Sequence, residues 1–279
     1  MRISVTHSTV YRFSRPVYLE PHTFRLRPRQ DGTQWLNRYA LEISPAPEGR
    51  TECLDQDGNA AVEAWFTELV AELTVRSSFQ VETRRENPFD YVLTAPPSLP
   101  LAYAGPLRAA LAPYLGAANV PQAVREFAER IAQGADGQAL AFLGRLNGHL
   151  FEGFGHAVRA DGPPHPAEFT LREKEGTCRD LAMLFCAACH MVGIAARFVS
   201  GYEREAATQE RAFMHAWAEA YLPGGGWRGY DPTQGLAVAQ SHVAVAAAAD
   251  PRLAAPATGT FRGSATAEME FAIALEVEE

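Results

Sequence analysis

The chain has 279 residues, 47% hydrophobic, 21% charged and 10% aromatic, a composition that excludes wholesale disorder, collagen-like repeats and coiled coils. Lys and Arg number 25 against 33 Asp and Glu, giving a formal net charge of −8. That balance speaks against non-specific binding to nucleic acid or anionic membranes and for a peptide, a protein surface or a small molecule.

No apolar stretch reaches the roughly 18–20 residues of a membrane span, and the opening MRISVTHSTVYRFSRP lacks the apolar core of a secretory signal. Four cysteines, Cys53, Cys178, Cys186 and Cys189, are too few for a disulfide scaffold and point to a reducing compartment, with the cytoplasm as the expected location.

In chain order, residues up to about 90 read as strands and turns. Ile3, Val5, His7 and Thr9 alternate with polar residues, and Val10–Phe13 continue the pattern. Phe24–Arg29 is a second alternating run, predicted to set Phe24 and Leu26 against Arg25 and Arg27. Leu41–Ile43 reads as a short strand, and Asp55-Gln-Asp-Gly-Asn59 as a hairpin turn, since Gly and Asn tolerate positive φ. Ala64–Phe66 and Leu69–Val81 follow as strands, and the Pro-rich stretch around residues 87–100 marks a domain boundary. Helices are predicted over Pro121–Gln133 and from about Asp136 to Phe151, the second using Leu140, Leu143, Leu146 and Leu150. The Ala-rich stretch 237–260 has no clear period, and Met269–Val277 alternates as a closing strand.

Three patterns between residues 175 and 233 carry chemistry. In Glu175-Gly-Thr-Cys-Arg-Asp180, Thr177 and Asp180 have the spacing of a helix cap, so Cys178 takes the first helical position. Unpaired N–H groups and the positive helix end there favour a thiolate and can receive an oxyanion. Met214–Leu222 is a strand with His215, Trp217 and Glu219 on one face, and Trp227–Pro232 is its hairpin partner through Pro223-Gly-Gly-Gly226. A four-residue loop joining Leu222 to Trp227 would set Asp231 opposite Ala218, on the wrong face. A bulge or altered loop around Gly224–Gly226 is therefore expected, which puts Asp231 beside His215. Cys178, His215 and Asp231 then form a nucleophile, base and orienter.

At these residues the chain resembles the transglutaminase-like superfamily. The motifs are Gly176-Thr-Cys-Arg-Asp180, Val192-Gly-Ile-Ala-Ala-Arg-Phe-Val-Ser-Gly-Tyr202, His215-Ala-Trp-Ala-Glu219 and Gly226-Trp-Arg-Gly-Tyr-Asp-Pro-Thr233. Thr9–Phe13, Arg25–Arg29 and Asp57-Gly-Asn59 are similar to the β-rich N-terminal region of its bacterial branch. The resemblance implies an α+β protein: a β-rich N-terminal domain over residues 1–95, then a papain-like catalytic domain over 96–279. In the latter a nucleophile helix packs on an antiparallel sheet. It also implies a Cys178–His215–Asp231 thiol site for acyl transfer on amide bonds, with a peptide or protein substrate and no cofactor or metal. A cysteine peptidase or amidase is the favoured activity, since the chain shows no clear calcium-binding loop. The alternatives are a protein transglutaminase with an amine acceptor and a catalytically silent binding module on the same fold. Arylamine N-acetyltransferases share the triad logic but place their cysteine early, whereas Cys178 lies in the second half of this chain.

Other residues read more plainly. Glu219 is a weaker alternative as orienter, Trp217 and Trp227 are walls of the cleft, Asp180 is a cap partner, and Arg179 is a surface or substrate-facing residue of no assigned use. Cys186-Ala-Ala-Cys-His190 matches a haem-attachment pattern, and Cys-x-x-Cys recurs in redox and zinc sites. Inside an apolar helix these residues are expected to be packing groups. Asp55–Asn59 lacks the spaced Glu of a calcium loop. Arginines 12, 15, 25, 27 and 29 are expected on a solvated sheet face.

Overall fold

A computed structural model describes residues 1–116, 120–204 and 212–278. The chain begins with β1 (Arg2–Leu19), β2 (His22–Phe24), β3 (Gln34–Ser44), β4 (Gly49–Leu54), β5 (Ala60–Trp65) and β6 (Leu69–Thr83). Along β1 the side chains of Ile3, Val5, His7 and Thr9 are buried and their neighbours are not, as the period-two pattern requires. Helices follow: α1 (Gly105–Ala110), α2 (Gln122–Gly134) and α3 (Ala139–Gly153). Two-residue strands β7 (Gly155–His156) and β8 (Glu175–Gly176) then flank α4 (Ala167–Glu173) and lead into α5 (Cys178–Met191). The remainder is β9 (Ala196–Glu203), β10 (His215–Leu222), β11 (Gly226–Asp231), β12 (Leu236–Ala237), β13 (His242–Ala248), β14 (Ala257–Thr258), β15 (Phe261–Arg262) and β16 (Ala267–Glu278). Among the described residues no helix is long and apolar enough to cross a membrane.

The expected α+β architecture is present. Strands β12, β11, β10, β9 and β13 form an antiparallel sheet in that order. Helix α5 packs on it through Leu181, Leu184 and Phe185, which meet Ala218, Ala220 and Leu222. The small side chains of β10 let the helix lie close to the sheet. Helices α2 and α3 cover the other side of α5 with Val124, Phe127, Leu143, Leu146 and Leu150.

The N-terminal strands are not a separate layer. Ile3, Val5, Phe79 and Val81 pack against Tyr202 of β9 and Val243 and Val245 of β13. His7 Nδ1 lies 2.8 Å from the Tyr202 hydroxyl across the same junction. Among the described residues no strand lies beside the outer edge of β13, and two side-chain amides close that edge. Gln34 accepts from the Ala244 N–H (2.9 Å) and donates to its carbonyl (2.8 Å). Asn59 does the same for Ala247, at 2.8 and 3.0 Å. An amide offers a donor and an acceptor as a peptide group does, so each residue replaces part of a missing strand.

Several local expectations change. The closing strand β16 exists, but it pairs with β1 from Arg2↔Glu278 to Phe13↔Ala267, so it completes the N-terminal sheet rather than the helix-backed one. The run Phe24–Arg29 is a strand only to Phe24. Arg25 is buried against Asp55 (3.0 Å), and Arg29, partly buried, donates to Asn59, so these two arginines hold the hairpin instead of lying on a solvated sheet face. Helix α3 starts at Ala139, because Asp136 and Gly137 take positive φ of 50° and 66°. Its buried stripe uses Phe142 where Leu140 was expected; Leu140 is exposed. The Asp55–Asn59 turn does join β4 to β5, with Gly58 at φ 73°.

Two outcomes follow from the junction. Asn59→Ala leaves both backbone groups of Ala247 unmet and is expected to lower the urea-unfolding free energy by about 2–4 kcal/mol without changing the slope. Burial lowers the His7 pKa from 6.5 to about 4. The unfolded chain therefore takes up a proton that the folded chain refuses, and stability falls as pH drops from about 6.5 to about 4. In His7→Gln this part of the pH dependence of the urea midpoint is expected to disappear.

Candidate active site

Helix α5 begins as its sequence demands. The Asp180 carboxylate, with no exposed surface, accepts the Thr177 N–H and Oγ–H, each at 2.8 Å. It also takes the His165 N–H (2.6 Å) and the Arg159 guanidinium (3.1 Å). Burial pushes this carboxyl up, but the donors from His165, Thr177 and Arg159 outweigh it and hold it below its ordinary range. Asp180 is thus a cap partner, as expected, and also an anchor for the loop over residues 159–165. Arg179, left without a use by sequence, clasps that loop from the other side by donating to the carbonyls of Arg159 (2.7 Å) and Asp161 (3.2 Å). Cys178 sits at the first helical position, where backbone N–H groups have no intrahelical acceptor.

The altered loop is real and simple. Leu222 pairs with Gly226, so three residues, 223–225, close the hairpin. Ala218 then faces Tyr230, and Asp231 falls opposite Trp217 on the face of His215. Gly224 (φ 86°) and Gly226 (φ 69°) supply the left-handed turns, and a Cβ on Gly224 would meet the Val92 carbonyl at 2.3 Å. The Pro-rich connector holds this loop: Thr94 N–H donates to Pro223 (2.9 Å), and Arg228 lies over the Tyr91 ring.

His215 Nε2 donates to Asp231 Oδ2 at 2.6 Å, which leaves Nδ1 for the thiol. Cys178 hydrogen-bonds with His215 and accepts the Ala216 N–H. The sulfur packs with Ala216, Ala182 and Phe198 on the helix side of the sheet, and His215, the first residue of β10, is where that side and the Asp231 side meet. Its cross-strand partner is Gly201, where a Cβ would lie 2.0 Å from the Val243 carbonyl and 2.8 Å from the Trp217 ring. Only glycine permits that approach.

The charges are matched. Burial alone would raise the Cys178 pKa, but the His215 hydrogen bond and charge, the Ala216 N–H and Arg179 overcome it, and the net shift is downward. Burial would lower His215, yet Asp231 and Cys178 raise it well above 6.5. Asp231, fully buried, is pushed up by burial and brought well below the carboxylate range by His215 and His242. All three shifts favour a thiolate–imidazolium pair backed by a carboxylate.

Sequence reasoning missed His242. Its Nε2 donates to Asp231 Oδ2 at 3.0 Å, and its Nδ1 meets the Ser241 hydroxyl at 2.8 Å. It lies on β13, in the Ala-rich stretch without a readable period; the alternation Ser241-His-Val-Ala-Val245 was the available signal. His156 was missed as well: the β7–β8 pair sets it beside Gly176, and burial, then the His215 charge, lower its pKa.

The remaining candidates separate cleanly. Glu219 shares the His215 face but binds Arg197 at 2.7 Å, which removes it as orienter. Trp217 stacks on His215 with centroids 6.3 Å apart, whereas Trp227 packs among Tyr114, Tyr221 and Arg197. Cys186 and Cys189 are buried in the helix core, where burial pushes both thiols up, and His190 meets the Ala196 carbonyl. They are packing groups. His215, Asp231 and His242 have ligand atoms within 4.8 Å of one another and are the described residues best placed to hold a metal ion. At 2.6 and 3.0 Å their N···O separations are hydrogen bonds, shorter than the roughly 3.3 Å edges of a tetrahedral zinc site.

Residues 3–82 match the bacterial transglutaminase-like N-terminal region, and residues 125–232 match the transglutaminase-like superfamily. An uncharacterized protein of Mycobacterium tuberculosis is 28% identical over 270 residues, covering 88% of this chain and 82% of its own. One from Mycobacterium leprae is 26% identical over 98% of this chain and 97% of its own. Among solved structures, a Cytophaga hutchinsonii protein provisionally named a cysteine protease superposes with a TM-score of 0.74 at 19% identity. That match covers 100% of this chain and 92% of the other, and it establishes the shared fold.

Asp180→Asn tests the helix start. The carboxylate's depressed pKa contributes stability that is present above the ordinary carboxylate range and lost as pH falls through it. The variant is expected to lose about 2–3 kcal/mol near neutrality and part of the acid sensitivity below about pH 4, read by urea unfolding across pH.

Proposed function

Residues 3–82 and 125–232 place the chain in the transglutaminase-like superfamily, and from that premise we propose that it is a thiol-dependent acyl-transfer enzyme acting on amide bonds, a cysteine peptidase or amidase. What carries the reading is the hydrogen-bonded line from Cys178 through His215 to Asp231, with the charge shifts that accompany it.

In this mechanism His215 holds the thiol proton at Nδ1 and Asp231 fixes the imidazole through Nε2. The Cys178 sulfur attacks the carbonyl carbon, the C=O electron pair moves to oxygen, and N–H groups at the start of α5 receive the oxyanion. His215 returns its proton to the departing amine as the C–N bond breaks, leaving a thioester. Water, deprotonated by His215, then releases the acid. A peptide or protein is the substrate class. In this reading the chain divides into a β-rich unit over residues 1–95 and a catalytic unit over 96–279, whose strands β14, β15 and β16 pair with strands of the first. All four cysteines are free, which supports a reducing compartment such as the cytoplasm.

Iodoacetamide labelling against pH is expected to find one fast thiol, at Cys178, and His215→Ala should slow it about 100-fold near neutrality. Turnover of an electrophilic peptide should fall at least about 1,000-fold in Cys178→Ser. A Cys178 no faster than a free thiol overturns the enzyme reading in favour of a binding module. Release of the captured acyl group by added amine but not by water overturns the hydrolytic choice in favour of transamidation.

A further inference from the structure

We propose that His242 is a positioning residue for this acyl transfer: it shares Asp231 Oδ2 with His215 and so limits how tightly the carboxylate holds the His215 proton. The inference rests on the Cys178–His215–Asp231 reading.

Four donors converge on Asp231. Oδ1 accepts the N–H groups of Thr233 (2.9 Å) and Gln234 (3.3 Å), which pin the carboxylate from its own loop. Oδ2 takes both imidazoles, His215 at 2.6 Å and His242 at 3.0 Å. With the backbone already fixing the carboxylate's orientation, the second imidazole is not needed to aim it. What His242 changes is the electron density left on Oδ2 for His215.

His242 is held for this task. Its Nε2 faces the Asp231 carboxylate, which can only accept, so Nε2 carries the proton of that bond and Nδ1 meets the Ser241 hydroxyl. Trp217 lies edge-on to the ring with centroids 5.0 Å apart, and beside it His215 lies with its centroid 5.8 Å from that of His242. Glu203 is its cross-strand partner on β9. The outer edge of β13 is clasped by Gln34 two residues further on, so the N-terminal sheet helps fix the distance between His242 and the triad.

The chemistry asks for such a brake. His215 must take a proton from Cys178 and then surrender one to the leaving amine, and both transfers run best when its pKa stays near the working pH. The more strongly a buried carboxylate stabilises the imidazolium, the weaker an acid His215 is toward the leaving amine. A second donor on the same oxygen weakens that grip.

The test compares His242→Phe, which keeps a ring but removes the donor, with His242→Gln, which keeps an N–H within reach. The readouts are the pH profile of Cys178 alkylation and the kcat and KM for an electrophilic peptide. In His242→Phe the upper ionisation of the Cys178–His215 pair is expected to rise by about one pH unit, and kcat to fall about tenfold at unchanged KM. His242→Gln should restore both. An unmoved or lowered upper ionisation in a folded His242→Phe overturns the proposal, as does a fall in thermal stability alone. Nitrogen-15 NMR of the wild-type protein gives an answer that needs no variant: a His242 proton on Nδ1 instead of Nε2 overturns it. An ordinary thiol in the wild type sinks the acyl-transfer reading itself, whereas a fast thiol with an unmoved profile sinks only the role of His242.

Discussion

The hydrogen bond from His215 to Asp231 exists because one hairpin closes through three residues. Side chains alternate faces along a strand, so a single extra residue between Leu222 and Gly226 would turn Asp231 away from His215 and leave the imidazole without its carboxylate. The glycines at 224 and 226 make the short loop feasible, and the connector over residues 91–94 packs against it. A segment that reads as a linker thus has a share in the register on which the candidate chemistry depends.

Burial and pairing pull in opposite directions throughout the site. Cys178, His215 and Asp231 are each penalised for charge by their surroundings, and each is restored by a neighbour carrying the opposite charge. None of the three shifts survives alone. That mutual dependence explains why the residues come from three separate elements whose relative positions are fixed by packing: a helix start, a strand start and a strand end.

The N-terminal region contributes more than a platform. Its sheet packs on β9 and β13, His7 reaches Tyr202, and the amides of Gln34 and Asn59 complete the edge of β13 as a further strand would. Asn59 belongs to the turn Asp55–Asn59, so a hairpin legible as local geometry is also a tertiary contact. Arg25, buried, and Arg29, partly buried, brace this hairpin through Asp55 and Asn59.

The amino-acid sequence by itself determined the elements with strong periods and the chemistry with local spacing. It specified the alternation of β1, the capped start of α5 with Cys178 in its first turn, and the shared face of His215 and Glu219. It also required that the β10–β11 loop depart from four residues. Only the tertiary structure decided which carboxylate serves His215, since Glu219 is taken by Arg197, a residue distant in sequence that no local pattern connects to it. Tertiary structure likewise sent β16 back to β1 and turned a featureless alanine run into the strand that carries His242. Local patterns report what a segment does with its own neighbours. Pairing between remote segments depends on the free energy of packing them together, which no window of sequence contains.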